Sequence, residues 1–327
     1  MIITLNLLSA GPEAPPPVIE DTVVLLTGGG GSDQDHLSSS EVFPPVGCSP
    51  PSLPAPRRRH ASFITADPNP IVSICGGRDE DGNWLASCLL LDVGNQRWEE
   101  NIGIMRPLTQ PRARHAVVSL KDIGSYAIGG DGANNQRTTE FLRQGRGAAQ
   151  GKHIWEAGPE IPVSMEYNPC AIVINDRSFL AIYGNDIREY RVDIADPIAE
   201  TGWEEATKWP RLQTGGTGLG CSLIAGKVVI AGGYPPFLRR TEILDLETRK
   251  IEYAGDLATP RTGFHIVQIT EQGIDRVFAL GGFDDSSNLD SVEEFDPETL
   301  TWKPASANLL ETRYIFGAVA VSRTLVC

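Results

Sequence analysis

The chain has 327 residues, with 34 Gly, 24 Pro and a hydrophobic fraction of 41%. That is enough apolar material for a core, and too little Gly and Pro for a collagen-like or low-complexity chain. Forty-two Asp and Glu against 28 Lys and Arg leave a net charge of −14, which argues against nucleic acid and anionic lipid, both of which are held through Lys and Arg.

In chain order, residues 1–20 read as an extended tail ending in Pro15-Pro16-Pro17. Ile2 to Leu8 is a short apolar run broken by Asn6, and no Lys or Arg precedes Arg57. The basic region of a secretory leader is therefore missing. No later apolar run approaches the ~18 residues of a membrane-spanning helix.

From residue 21 onward, short apolar runs end in paired glycines. Val23 to Leu26 leads to Gly28-Gly29, Ile71 to Cys75 to Gly76-Gly77, and Tyr126 to Ile128 to Gly129-Gly130. Val228 to Ala231 leads to Gly232-Gly233 and Val277 to Leu280 to Gly281-Gly282, while Phe179 to Tyr183 ends in Gly184-Asn185. The second members lie 48, 53, 55, 48 and 49 residues apart. A regular period near 50 marks stacked supersecondary units, in one architecture rather than two unrelated domains.

Other parts recur with the glycines. Pro56-Arg57, Pro111-Arg112 and Pro260-Arg261 each precede a further apolar run. After the glycines comes a third run ending at Asp92, Asp245 or Asp296, and six residues later Trp98, Ile251 or Trp302 opens a fourth. Runs this short, rich in Val, Ile and Leu and bounded by Gly, predict buried strands. Four antiparallel strands per unit of about 50 residues describe a propeller blade.

The Gly pair, the downstream Trp and the upstream Arg-x-x-His of Arg57 to His60 and Arg112 to His115 resemble kelch repeats from about residue 21 to 327. The resemblance implies an all-β, six-bladed kelch-type β-propeller. Its first unit lacks the strand that follows Pro-Arg, and Arg313 to Val321 supplies one with nothing after it. The C-terminal strand is thus expected to join the N-terminal blade, as the innermost strand beside three from the N-terminus. Closure of that kind removes free sheet edges.

The six cysteines, Cys48, Cys75, Cys88, Cys170, Cys221 and Cys327, form no Cys-x-x-Cys pair. They read as buried free thiols, and no Asn-x-Ser/Thr sequon is present. Both point to a cytoplasmic protein, with secretion as the alternative. His60 and His115 repeat at one position, which favours packing over catalysis. No phosphate loop, Gly-x-Ser-x-Gly elbow or Glu-x3-Asp-x3-His cluster occurs. The expectation is a non-enzymatic chain without cofactor or metal.

In kelch substrate adaptors one face of the ring binds a peptide. The resemblance carries that face to Arg78, Asp131, Tyr234 and Phe283, just after the Gly pairs, and to Arg58, Arg112, Arg261, Arg313 and Tyr314, around the entering strands. Arginines gathered at one mouth would select an acidic peptide or small carboxylate, because the guanidinium fork matches a carboxylate. Their structural reading is that they tie the blades together through nearby acids. The expected function is therefore a protein- or peptide-binding module. Ubiquitin-ligase or cytoskeletal partners follow from family analogy alone. The competing reading is a secreted galactose-oxidase-like or carbohydrate-binding propeller. The long connections Gln144 to Lys152 and Ala195 to Thr201 are expected on the opposite face.

Overall fold

The apolar runs form strands that are buried along their length, and the glycines that end them turn the chain toward the next element. In the computed structural model, residues 20–326 are described, except 32–35, 67–68, 133–134, 145–150, 200–201 and 214. Residues 1–19 of the expected tail, Cys327 and most of the 144–152 connection lie outside the described residues.

Six small antiparallel sheets form a ring. The first blade holds β1 (Thr22–Gly30) and β2 (His36–Phe43), and the second β3 (Ala61–Ile64), β4 (Val72–Cys75), β5 (Cys88–Asp92) and β6 (Arg97–Glu99). The third has β7 (Ala116–Leu120), β8 (Gly124–Ile128), β9 (Thr139–Gln144) and β10 (His153–Ala157), and the fourth β11 (Cys170–Asn175), β12 (Ser178–Tyr183) and β13 (Asp186–Arg191). The fifth comprises β14 (Gly220–Ile224), β15 (Lys227–Ala231), β16 (Thr241–Asp245) and β17 (Ile251–Tyr253). The sixth comprises β18 (His265–Glu271), β19 (Ile274–Leu280), β20 (Val292–Asp296) and β21 (Thr301–Pro304).

The last strand, β22 (Gly317–Ser322), returns to the first blade and pairs antiparallel with β1, from Thr22 opposite Ser322 to Thr27 opposite Gly317. Closure by the C-terminal strand is as the repeat pattern requires. The strand count of that blade is not. It has three strands among the described residues, in the order β2-β1-β22. The segment after Phe43 carries Pro44, Pro45, Pro50, Pro51, Pro54 and Pro56, and proline has no N–H to give to a ladder. The fourth blade also has three among the described residues. Beyond β13, Trp203 meets Tyr190 through a single isolated bridge.

The hydrophobic core is divided into six, each part lying between neighbouring blades. Leu25 and Ile74 share the one between blades 1 and 2, and Val24 and Phe278 the one between blades 6 and 1. Every blade is thus stabilised by its neighbours rather than by a core of its own.

The glycine pairs sit at these junctions. Gly76 (φ +68°) and Gly77 (φ +95°) adopt left-handed backbone, and a Cβ on Gly77 would lie 2.6 Å from the Arg58 carbonyl oxygen. The Gly77 N–H donates to the carbonyl of Arg112 in the next blade at 2.8 Å. Gly29 to Arg57, Gly233 to Arg261 and Gly282 to Arg313 repeat that bond at 2.7–2.9 Å.

The cysteines depart from the free-thiol expectation, since among the described residues no cysteine is free. Cys75 and Cys88 are joined across β4 and β5. Cys170 on β11 and Cys221 on β14 are joined across blades 4 and 5. Cys48 is disulfide-bonded as well. Most of them stand in apolar runs of the sequence, which do not indicate which of them lie beside one another.

Candidate binding face

The residue two positions past each Pro-Arg arginine, or its counterpart, is left-handed in all six blades. These residues are Arg59, Arg114, Asn168, Gly218, Gly263 and Ile315, with φ between +49° and +67°. That conformation turns their amides along the ring. Arg59 N–H donates to Ile315 C=O (2.8 Å), Arg114 to Arg59 (2.8 Å), Asn168 to Arg114 (3.0 Å), Gly263 to Gly218 (3.0 Å) and Ile315 to Gly263 (2.8 Å). The result is a hydrogen-bonded hoop around the axis. Gly218 makes no such bond to Asn168, and the Cys170–Cys221 disulfide spans that same junction.

Outside the hoop, the two sets of expected contact residues meet. Isolated bridges pair Arg58 with Arg78, Ala113 with Asp131, Thr217 with Tyr234, Thr262 with Phe283 and Gly30 with Tyr314. Arg58, Arg78, Asp131, Tyr234, Phe283 and Tyr314 therefore share one face.

Arg112, Arg261 and Arg313 do not reach that face, which corrects their assignment as ligand contacts. Their exposures are 0%, 0% and 1%. Arg112 Nη2 binds Glu140 at 2.8 Å and its Nη1 donates to the Gly129 carbonyl. Arg261 pairs with Glu293 at 2.7 Å and donates to the Gly281 carbonyl. Arg313 pairs with Glu41 and donates to the Gly28 carbonyl. Each side chain locks the Gly–Gly end of its own blade, while its carbonyl holds the glycine of the blade before. Blades are tied together at this point, through the backbone oxygen. Arg57 occupies the equivalent place, but in its blade Leu89 stands at the third-strand position that Glu140, Glu293 and Glu41 hold in the blades of Arg112, Arg261 and Arg313. Burial, only partly offset by the charges of Glu100 and Asp79, pulls its pKa down to about 10.

The face has two sectors. In the basic one, Arg78 binds Asp131 at 2.9 Å and lies over Trp84, while Arg114 lies 3.6 Å from Asp131 and over Tyr167. Arg58 and Arg59 make no ion pair and no side-chain hydrogen bond among the described residues, and the Nε of each is buried without a partner. Burial, then the charge of Arg114, Arg58 and Arg78, brings Arg59 down to about 10. Arg58 is lowered by burial and by Arg78. In the other sector Tyr234, Phe237, Phe283 and Tyr314 form a chain of ring contacts with centroids 4.9–5.7 Å apart. Tyr234 is 46% exposed and Trp84 47%.

The repeat comparison missed Arg59, Arg114, Trp84, Tyr167 and Phe237. Arg59 and Arg114 stand at the same repeat position, directly before His60 and His115, which is the signal that could have found them. The histidines themselves pack between blades. His60 Nε2 meets Thr27 Oγ1 at 2.8 Å, and burial, with Arg112 close by, holds His115 down at about 3. Among the described residues no group of three or more His, Cys, Asp or Glu side chains is arranged to hold a metal ion. No helix among them is long and apolar enough to cross a membrane.

Residues 275–307, which span β19 to β21, match the kelch motif. No curated protein matches the chain.

Proposed function

We propose that this six-bladed propeller, which carries a kelch motif, is a non-catalytic interaction module that binds an acidic segment of a partner protein at the two-sector face. A carboxylate of the partner docks on Arg58, and a neighbouring apolar side chain rests on the arc of Tyr234, Phe237, Phe283 and Tyr314. The observation that carries the reading is Arg58. On a chain of net charge −14 it stands among three other arginines with no carboxylate of its own. Rigid aromatic rings beside an arginine are the composition of interface hot spots.

The disulfides within the propeller support an oxidising compartment for this module, hence secretion rather than the cytoplasm, since thiols are kept reduced in the cytosol.

The test is capture from a random peptide library on the intact chain, followed by fluorescence anisotropy with the selected peptides. Selection of peptides rich in Asp or Glu, weakened about tenfold or more by Arg58→Ala with an unchanged melting temperature, supports the reading. Selection without acidic preference, or binding indifferent to Arg58→Ala and Tyr234→Ala, refutes it.

A further inference from the structure

Below the hoop the ring encloses a cavity of about 540 Å³, lined by the inner strands of all six blades. This falls within the size range of small-molecule sites, which are mostly apolar with a few fixed polar groups. Its walls carry partly exposed apolar side chains, among them Val117, Ile172, Leu223 and Val267. Its charged lining is one-sided. Arg59 and Arg114 stand at the hoop, and among the described residues no Asp, Glu or Lys lines the cavity. That is a notable exclusion for a chain with 42 acidic residues.

The three histidines in the wall add no charge. Burial lowers the pKa of His60, His115 and His265 below the ordinary value. Of the two arginines, Arg114 is shared with Asp131, whereas Arg59 has no carboxylate. The entrance is asymmetric as well. Gly218 and Gly263 leave the hoop without side chains on the far side from Arg59 and Arg114.

We propose that the channel takes an elongated aliphatic carboxylate, with its carboxylate on Arg59 and its chain along Val117, Ile172, Leu223 and Val267. The guanidinium fork supplies a partner for the head group, and the apolar side chains of the walls supply a place for the methylenes. Neither half of the site suits a purely polar solute or a neutral oil. The ligand differs from the partner peptide of the outer face, and Arg58 takes no part in holding it.

Isothermal titration of the intact, oxidised chain with dodecanoate, dodecanol and acetate tests this. The expected result is one saturable site for dodecanoate, with dodecanol and acetate each weaker by about tenfold or more. Arg59→Leu should bring dodecanoate to the level of dodecanol, Val117→Trp should block the site, and Arg58→Ala should leave it unchanged. No saturable dodecanoate binding overturns the proposal, as does equal binding of dodecanol. The three-ligand comparison on the wild-type chain decides even if a variant does not fold. Loss of dodecanoate binding in Arg58→Ala, with retention in Arg59→Leu, would assign the carboxylate to the outer face and overturn the channel site.

Discussion

The amide of Arg114 donates to the carbonyl of Arg59 at 2.8 Å across the junction of blades 2 and 3. Both residues are left-handed, with φ of +55° and +60°. The bond exists because that backbone swings each amide out of its own blade and toward the next. An ordinary extended residue here would direct the amide into its own sheet.

Gly263 is a hoop position at which this geometry leaves no room for a side chain. Its φ is +59°, and a Cβ would lie 2.6 Å from the Tyr314 ring. Gly263→Ala should cost about 1–3 kcal/mol, combining left-handed strain with displacement of Tyr314. Gly226→Ala has a similar φ of +76° but open space around it, so its cost should stay near 1 kcal/mol. Urea titration of the two variants measures the difference.

The buried ion pairs predict a ranking of arginine substitutions. Arg112→Ala strands Glu140 in the interior and should cost about 3–5 kcal/mol. Arg57→Ala removes hydrogen bonds to Gly76, Ser87 and its hydroxyl but leaves no unpaired acid, and should cost less. Arg58→Ala, on the outer face, should change stability by less than about 0.5 kcal/mol. Chemical denaturation of the three variants gives the order.

The histidines between the blades predict acid sensitivity. His115 has a folded pKa of about 3, below the ordinary value of about 6.5. Between those values the unfolded chain binds the proton and the folded chain does not. Stability is therefore lost as pH falls from about 6.5 toward 3, by up to about 1.4 kcal/mol per unit for this residue. Melting temperature against pH should show a shallower fall over that window for His115→Phe than for the wild type.

Reduction should strike the ring where its hoop is open. Cys170 and Cys221 are 51 residues apart, and closing a loop of that length is worth about 4 kcal/mol in the chain-entropy account. The Cys75–Cys88 loop spans 13 residues and should be worth about 3 kcal/mol by the same account. Cys170→Ala/Cys221→Ala should therefore melt lower than Cys75→Ala/Cys88→Ala, with exchange protection lost first around β11 and β14.

The ring was legible in the residues because an apolar run ending in Gly-Gly fixes a strand, its end and its distance from the next copy. The closing strand was legible because Arg313 to Val321 repeats the opening strand that the first unit lacks. The burial of Arg112 was not, since its partner Glu140 lies 28 residues away and a guanidinium by itself suggests solvent. The clue was a second repeat, Glu41, Glu140, Glu242 and Glu293 at one place in the third strand, which matters only once strands are folded side by side. Cys170 and Cys221 escaped for the same reason. Their pairing depends on two innermost strands of different blades facing each other, a relation the linear spacing does not encode.

The closing strand has one further consequence. Arg313, with its contacts to Glu41, Gly28 and Ser39, and β22, with its ladder to β1, lie in one contiguous stretch. That stretch acts as a tethered ligand of the first blade, held at high local concentration by the rest of the chain. The groups it meets, β1 and the Glu41 carboxylate, belong to the N-terminal end of the chain. A severed C-terminal segment carrying Arg313 and β22 keeps the groups that make these contacts, so supplied in trans it should compete for the place of the tethered one, and the same segment of a second molecule would link two rings.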